Sequence, residues 1–301
     1  MIMILYMAGP TVVALLIALA MALFGRRAHL VLPKAVRRST LLGMVLALGG
    51  VIALAAWPLY LWRLANLGED PVLVVQLVRY LAPLVLTVVA LIFMVVPAPA
   101  SGPSGSAALA PRTLLTFTSR AWLACLAAVV AAAFAIALFA GLASNPDERG
   151  RYVMFTMHPA EGVSASTNIY GWWFSTPCLI LIAIICMTVL IGVGSISRPA
   201  LASESQRDAG QRAVRSSKIF SVATGGVLLH LSVTLQTLSG TASLSYSQTG
   251  WSEFGTSFAA LGPVLQVAAL LASIVGMVLW WSVLIGSLAT RTHETSKAAR
   301  P

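Results

Sequence analysis

Residues 225–237 read GGVLLHLSVTLQT. Small and polar residues recur every three or four positions in an otherwise apolar segment, and one of them, His230, is ionisable. The apolar stretch around it extends over about 219–238, close to the roughly 20 residues a helix needs to cross about 30 Å of hydrocarbon. Read as a helix, Ala223, Gly226, His230, Thr234 and Thr237 share one face. Small residues let a second helix approach closely, and polar ones can bond across the contact. The stripe is expected to face the interior of a helical bundle.

His230 would lie about 2 Å from the bilayer centre at about 1.5 Å per residue. Ionisable groups at this depth are functional by default. The favoured reading is nonetheless structural: a neutral imidazole bonded to a neighbouring carbonyl or hydroxyl. Hydrocarbon disfavours the charged form, and none of the nine acidic residues falls inside an apolar span to pair with it.

The same criterion finds seven stretches, at about 3–24, 41–62, 71–97, 121–144, 177–197, 219–238 and 260–289. The expected fold is all-α, a polytopic transmembrane bundle of seven spans forming a single membrane domain over 1–301. Composition agrees: 58% of residues are hydrophobic and 9% charged, against about a quarter charged in soluble domains. The first stretch has no basic residue before it and outruns a signal-peptide core, so it is read as a span. Asp70 and Pro71 read as an N-cap and first-turn proline of the third span. Pro177 and Pro263 are expected to open the fifth and seventh.

Lys and Arg distribution sets the threading. With the N-terminus out and the C-terminus in, 15 of the 19 basic residues fall on inner segments, as the positive-inside rule requires. Arg63, Arg79, Arg149 and Arg151 are the four outside. The net charge of +10 therefore reads as topology signals facing anionic lipid, and nucleic acid is not an expected partner. Trp57, Tyr60 and Trp62, then Trp172, Trp173 and Phe174, are expected at the outer interface, and Trp122 at the inner one. Of Trp280 and Trp281, one is expected to face a neighbouring helix and the other lipid. Arginine outnumbers lysine 16 to 3, which suggests a GC-rich bacterial genome and a multi-pass protein of the cell membrane.

Two outer loops, 145–176 and 239–259, are long enough to form structure. In the first, RYVMFTM (151–157) is rich in strand formers, HPAEG (158–162) supplies a turn, and VSASTNIYG (163–171) can return as a second strand. A small β-hairpin cap over the outer face is expected. The alternation in SLSYS (243–247) is weakly strand-like, and Gly250 ends it. Inner linker 98–111 is read as flexible, and 198–218 as polar surface that could hold a short surface helix.

Much chemistry lacks its residues. Cys125, Cys178 and Cys186 form no disulfide or zinc pattern. A membrane haem would need a second buried histidine, and His29, His158 and His293 lie in loops or the tail. No lysine sits in a span to hold retinal, and H-E-x-x-H does not occur. Ser195 and His230 differ in depth by more than about 10 Å, too far for a nucleophile and its base. Met154, Met157 and His158 have the softness for copper(I), but on a strand the two methionines point to opposite faces, and packing is the favoured reading. No cofactor is expected.

Three functions stay open, with the first leading: an accessory, assembly or scaffold subunit of an envelope complex, with lipids and other membrane subunits as partners. Its docking surface would use Met154, Met157, His158, Trp172 and Trp173. The second is a permease for a small, weakly polar solute, its path lined by Thr87, His230, Thr234, Thr237 and Gln266. The third is an enzyme acting on lipid-linked substrates through Arg149, Arg151, His158 or Glu161.

Overall fold

Inside hydrocarbon, backbone polar groups have to be satisfied within the protein, which makes the helix the natural form of a long apolar segment. The computed structural model describes residues 2–24, 32–56, 71–95, 118–160, 163–197, 205–246 and 254–288. Among them are seven α-helices: α1 (Ile2–Phe24), α2 (Lys34–Ala56), α3 (Pro71–Val95), α4 (Arg120–Leu142), α5 (Trp172–Ser197), α6 (Ser205–Ala242) and α7 (Gly262–Leu288). Six of these, α2 to α7, are long and apolar enough to cross a membrane, and α1 carries a shorter apolar stretch, Gly9–Phe24. This is the make-up of a multi-pass membrane protein.

The segment around His230 is the axis of the bundle. Every residue of α6 from Ile219 to Val227 is buried, and α3, α4, α5 and α7 all pack on this helix. Two adjacent glycines of α6 bring it close to α3 and α7. A methyl group on Gly226 would sit 1.7 Å from Thr87 Oγ1 of α3, and one on Gly225 would sit 2.6 Å from the Trp280 ring of α7. Trp280 is fully buried and its Nε1 donates to Val222 O at 3.1 Å, while Trp281 is half-buried. On α7, Gly276 closes against the Gly225 carbonyl, so this glycine serves packing within the chain.

Several boundaries differ from the hydropathy reading. Proline does open α3 and α7, at Pro71 and in the first turn at Pro263. The fifth span instead begins at Trp172, with Pro177 inside the helix. Pro177 cannot donate to the Trp173 carbonyl, and the neighbouring Thr176 hydroxyl bonds the preceding carbonyl, Trp172 O, at 2.8 Å. The second span starts at Lys34. The largest difference is α6, which starts at Ser205: the polar segment read as a surface linker is its N-terminal part. The aromatic group Trp57, Tyr60 and Trp62, the cap residue Asp70, the 98–111 linker and Gly250 lie outside the described residues.

Between α4 and α5 the chain forms a three-stranded antiparallel sheet, β1 (Asn145–Pro146), β2 (Tyr152–Ala160) and β3 (Val163–Asn168), in that order. The expected hairpin is β2–β3, with Met154 opposite Asn168 and Met157 opposite Ala165. Its turn comes later than expected, because His158 to Ala160 belong to β2. The sheet rests on one end of the bundle. Val153 and Ile169 are buried, and Thr241 of α6 donates to Asn168 O at 3.1 Å. The second loop pairs β4 (Ser245–Tyr246) with β5 (Phe254–Gly255). Phe155 meets Phe258 edge-on at 5.4 Å, which joins the two loops.

The β1–β2 turn is organised by one carboxylate. Asp147 accepts the backbone N–H groups of Arg149 and Arg151 on Oδ1, at 2.9 and 2.8 Å, and Arg151 Nε on Oδ2 at 2.7 Å. Gly150 takes the left-handed conformation the turn needs, at φ +75°. Desolvation raises the Asp147 carboxyl, but the bonds from the Arg151 side chain and the two backbone amides outweigh it and hold the group below its usual value of 3.8. A depressed folded value means the stabilisation is fully present above the unfolded value and is lost as pH falls through the folded one. The amide resonances of Arg149 and Arg151 should therefore stay constant from pH 7 to pH 5 and shift together only below the range in which a free Asp titrates. In Asp147→Asn that titration should be absent.

Candidate functional site

Where the central stripe of α6 meets α3, the polar groups close on each other. His230 Nδ1 lies 2.9 Å from the backbone carbonyl of Tyr80 and Nε2 lies 3.2 Å from the Tyr170 hydroxyl. A carbonyl can only accept, so Nδ1 carries the proton and Nε2 accepts from Tyr170. This is the neutral tautomer with both nitrogens used. Tyr170 also reaches the Cys178 thiol. The Tyr80 hydroxyl donates to Thr237 Oγ1 at 2.9 Å, and Thr237 donates to Val233 O at 3.1 Å. The rings of Tyr80, Tyr170 and Phe174 pack edge-on at 4.8 and 5.2 Å.

Local sequence explains the positions. Pro83, inside α3, cannot donate to the Arg79 carbonyl, one residue before the Tyr80 carbonyl that meets α6. Tyr170 ends the β3–α5 connection, next to Gly171, where any side chain would strike Tyr152 O. The imidazole thus ties α3, α6 and the base of the sheet together, and its donors and acceptors are matched by this chain's own groups.

A second polar cluster lies in the N-terminal half of α6. Arg212 donates to Ile196 O, at the end of α5. Arg215 Nη2 donates to Met94 O at 3.0 Å, at the end of α3. Lys218 Nζ donates to Ser287 Oγ at 2.8 Å, at the end of α7. Arg212 and Arg215 are buried. Three cations on one helix therefore meet the C-terminal ends of three others, where unsatisfied carbonyls carry partial negative charge. Thr118, just before α4, bonds Ser216 at 3.0 Å at the same end.

Of the residues singled out from sequence, His230 and Thr237 share the first cluster. Thr234 is buried on the same helix and bonds Leu231 O at 2.9 Å. Thr87 is turned to Pro83 O at 2.5 Å. Gln266 lies one turn into α7 from Gly262, whose carbonyl accepts from Ser239 of α6 at 2.8 Å. In the sheet, Met154 packs toward the core, Met157 is half-buried and His158 exposed. The Trp172 ring fills the space over Gly141. Trp173 packs on Phe174 and lies under Arg151, 5.6 Å from its guanidinium. Arg149 is exposed beside them, and Glu161 lies outside the described residues. Ser195 bonds the Gly192 carbonyl at 2.7 Å.

Sequence reasoning missed Tyr80, Tyr170 and Cys178, which carry no signal beyond apolar surroundings. It also missed Arg212, Arg215 and Lys218. Their three-residue spacing, in a stretch with no proline between Pro199 and Pro263, was the available hint of a continuing helix. Comparison with known protein families, with curated proteins and with solved structures found no match.

Proposed function

We propose that this chain is an accessory or scaffold component of a cell-envelope membrane complex, threaded seven times with its N-terminus outside and its C-terminus inside, and acting by docking rather than catalysis. The observation that carries this reading is the use of the ionisable groups at span depth. His230, Arg212, Arg215 and Lys218 each bond a carbonyl or hydroxyl of a neighbouring element, which is the work of groups that hold helices together. The surface left over for a partner is at the sheet end, where Tyr152, His158, Ser164 and Ser166 are exposed.

The threading has its own support. Lys34, Arg37, Arg38, Arg120, Arg212, Arg215 and Lys218 all belong to the bundle end where α3, α5 and α7 finish, and Asp147 and Glu148 to the other. A cytosolic cationic end follows from the positive-inside rule. As the seventh span, α1 would lie on α7 through Ala14 and Ala18, with Val12, Val13, Leu16 and Ile17 toward lipid.

The test is purification of the native chain in mild detergent after cross-linking in intact cells. A defined second membrane chain, cross-linked to β2 or β3, is the expected result. Recovery of the chain alone under every mild condition would overturn the reading. His230→Leu should leave that association intact while lowering thermal stability by about 1–3 kcal/mol, since the Tyr170 hydroxyl loses an acceptor.

A further inference from the structure

At the bundle end where α6 begins, the cations of α6 and those of α2 have different surroundings. Those of α6 face helix C-termini and are bonded there. Those at the start of α2 are not: Lys34 and Arg38 are exposed and Arg37 half-buried, and among the described residues the only ion pair is Arg151–Asp147, at the opposite end. Lys34 and Arg38 are four residues apart on one face and repel. The partial positive charge at the start of α2 adds to theirs rather than offsetting it.

That face continues into a lipid-like surface. Along the same side of α2 run Leu42, Val45 and Leu46, exposed by 49%, 56% and 45%. The opposite side is buried through Met44, Ala47 and Leu48. Leu32 and Val36 pack against Val214 of α6, which fixes how the first turn of α2 is rotated. Positive charge at the head of an exposed apolar stripe has the complementarity of a single phospholipid. From Arg38 to Leu46 the helix rises about 12 Å at 1.5 Å per residue, similar to the roughly 15 Å of one leaflet's hydrocarbon.

We propose that this face of α2 is a binding site for an anionic phospholipid, with the phosphodiester between Lys34 and Arg38, Arg37 beside it, and an acyl chain along Leu42, Val45 and Leu46. The site requires the membrane reading and the inner placement of the α2 start, and is independent of any protein partner. Polybasic segments next to a span attract anionic headgroups in this way, and the apolar stripe below turns a diffuse attraction into a seat for a whole lipid.

The experiment uses the full-length chain in micelles of a neutral detergent. Binding of phosphatidylglycerol and phosphatidylcholine is counted by native mass spectrometry, and melting is followed in parallel. The expected result is preferential retention of phosphatidylglycerol. The triple variant Lys34→Gln, Arg37→Gln, Arg38→Gln should bind it about tenfold or more weakly, and Arg38→Gln alone about fivefold. Leu42→Ser with Leu46→Ser, which leaves the charges, should also weaken it. Arg149→Gln, at the sheet end, should bind as the parent does. Inorganic phosphate at millimolar concentration should not displace the lipid, since a free anion does not use the stripe. Equal binding of the two lipids, displacement by phosphate, or parental affinity in both Arg38→Gln and the triple variant would overturn the proposal. Loss of a co-purifying protein chain would leave it standing.

Discussion

Gly226→Ala is expected to destabilise the protein by about 3 kcal/mol, the upper part of the range for overpacking a well-filled interior. The new methyl would lie 1.7 Å from Thr87 Oγ1 and 2.7 Å from Thr87 Cβ, so a rotamer change at Thr87 cannot relieve it. Helices α3 and α6 have to separate, and the Tyr80 carbonyl moves away from His230 with them. Reversible unfolding of the detergent-solubilised protein measures the loss. Pairing the substitution with Thr87→Gly removes all three colliding atoms and should recover at least half of it, despite about 1 kcal/mol for a glycine within a helix. A Gly226→Ala protein within about 0.5 kcal/mol of the parent, the size of an ordinary surface substitution, would mean that α3 and α6 do not meet there.

The second large effect concerns the cationic face of α6. Arg212→Ala should lose about 3 kcal/mol. A bond to a charged donor contributes about 1.5–3 kcal/mol, and removing a fully buried side chain adds a cavity. Arg212→Met, which keeps most of the volume, should lose less than Arg212→Ala and still leave the Ile196 carbonyl without its donor. The local signature is faster amide exchange in residues 193–197, the last turn of α5, in both variants. If exchange rises uniformly over the bundle, or not at all, the guanidinium does not cap that helix.

These two predictions depend on features of different legibility. Gly226 was readable: its spacing to His230 and Thr234 placed it on an interior face because side-chain direction along a helix is periodic and local. Arg212 was not readable. A segment with Gln211, Arg212, Arg215 and Lys218 has the composition of a solvated linker. It is buried only because three other helices end beside it, and their carbonyls supply the partners that water would otherwise provide. The same distinction separates Met154 from Trp172. The strand carrying Met154 was visible in its β-forming residues, whereas the seat of Trp172 over Gly141 depends on how α4 and α5 approach each other.

By itself the sequence determined the membrane class, the approximate places of the apolar helices, the inward face of the central one, and the β2–β3 hairpin. Each follows from the local cost of placing backbone or side chains in hydrocarbon or water. Only the tertiary structure decided that His230 is held between Tyr80 and Tyr170, and that Gln211, Arg212 and Arg215 of α6 are buried. Those outcomes rest on hydrogen bonds between residues tens of positions apart, which helical periodicity cannot encode.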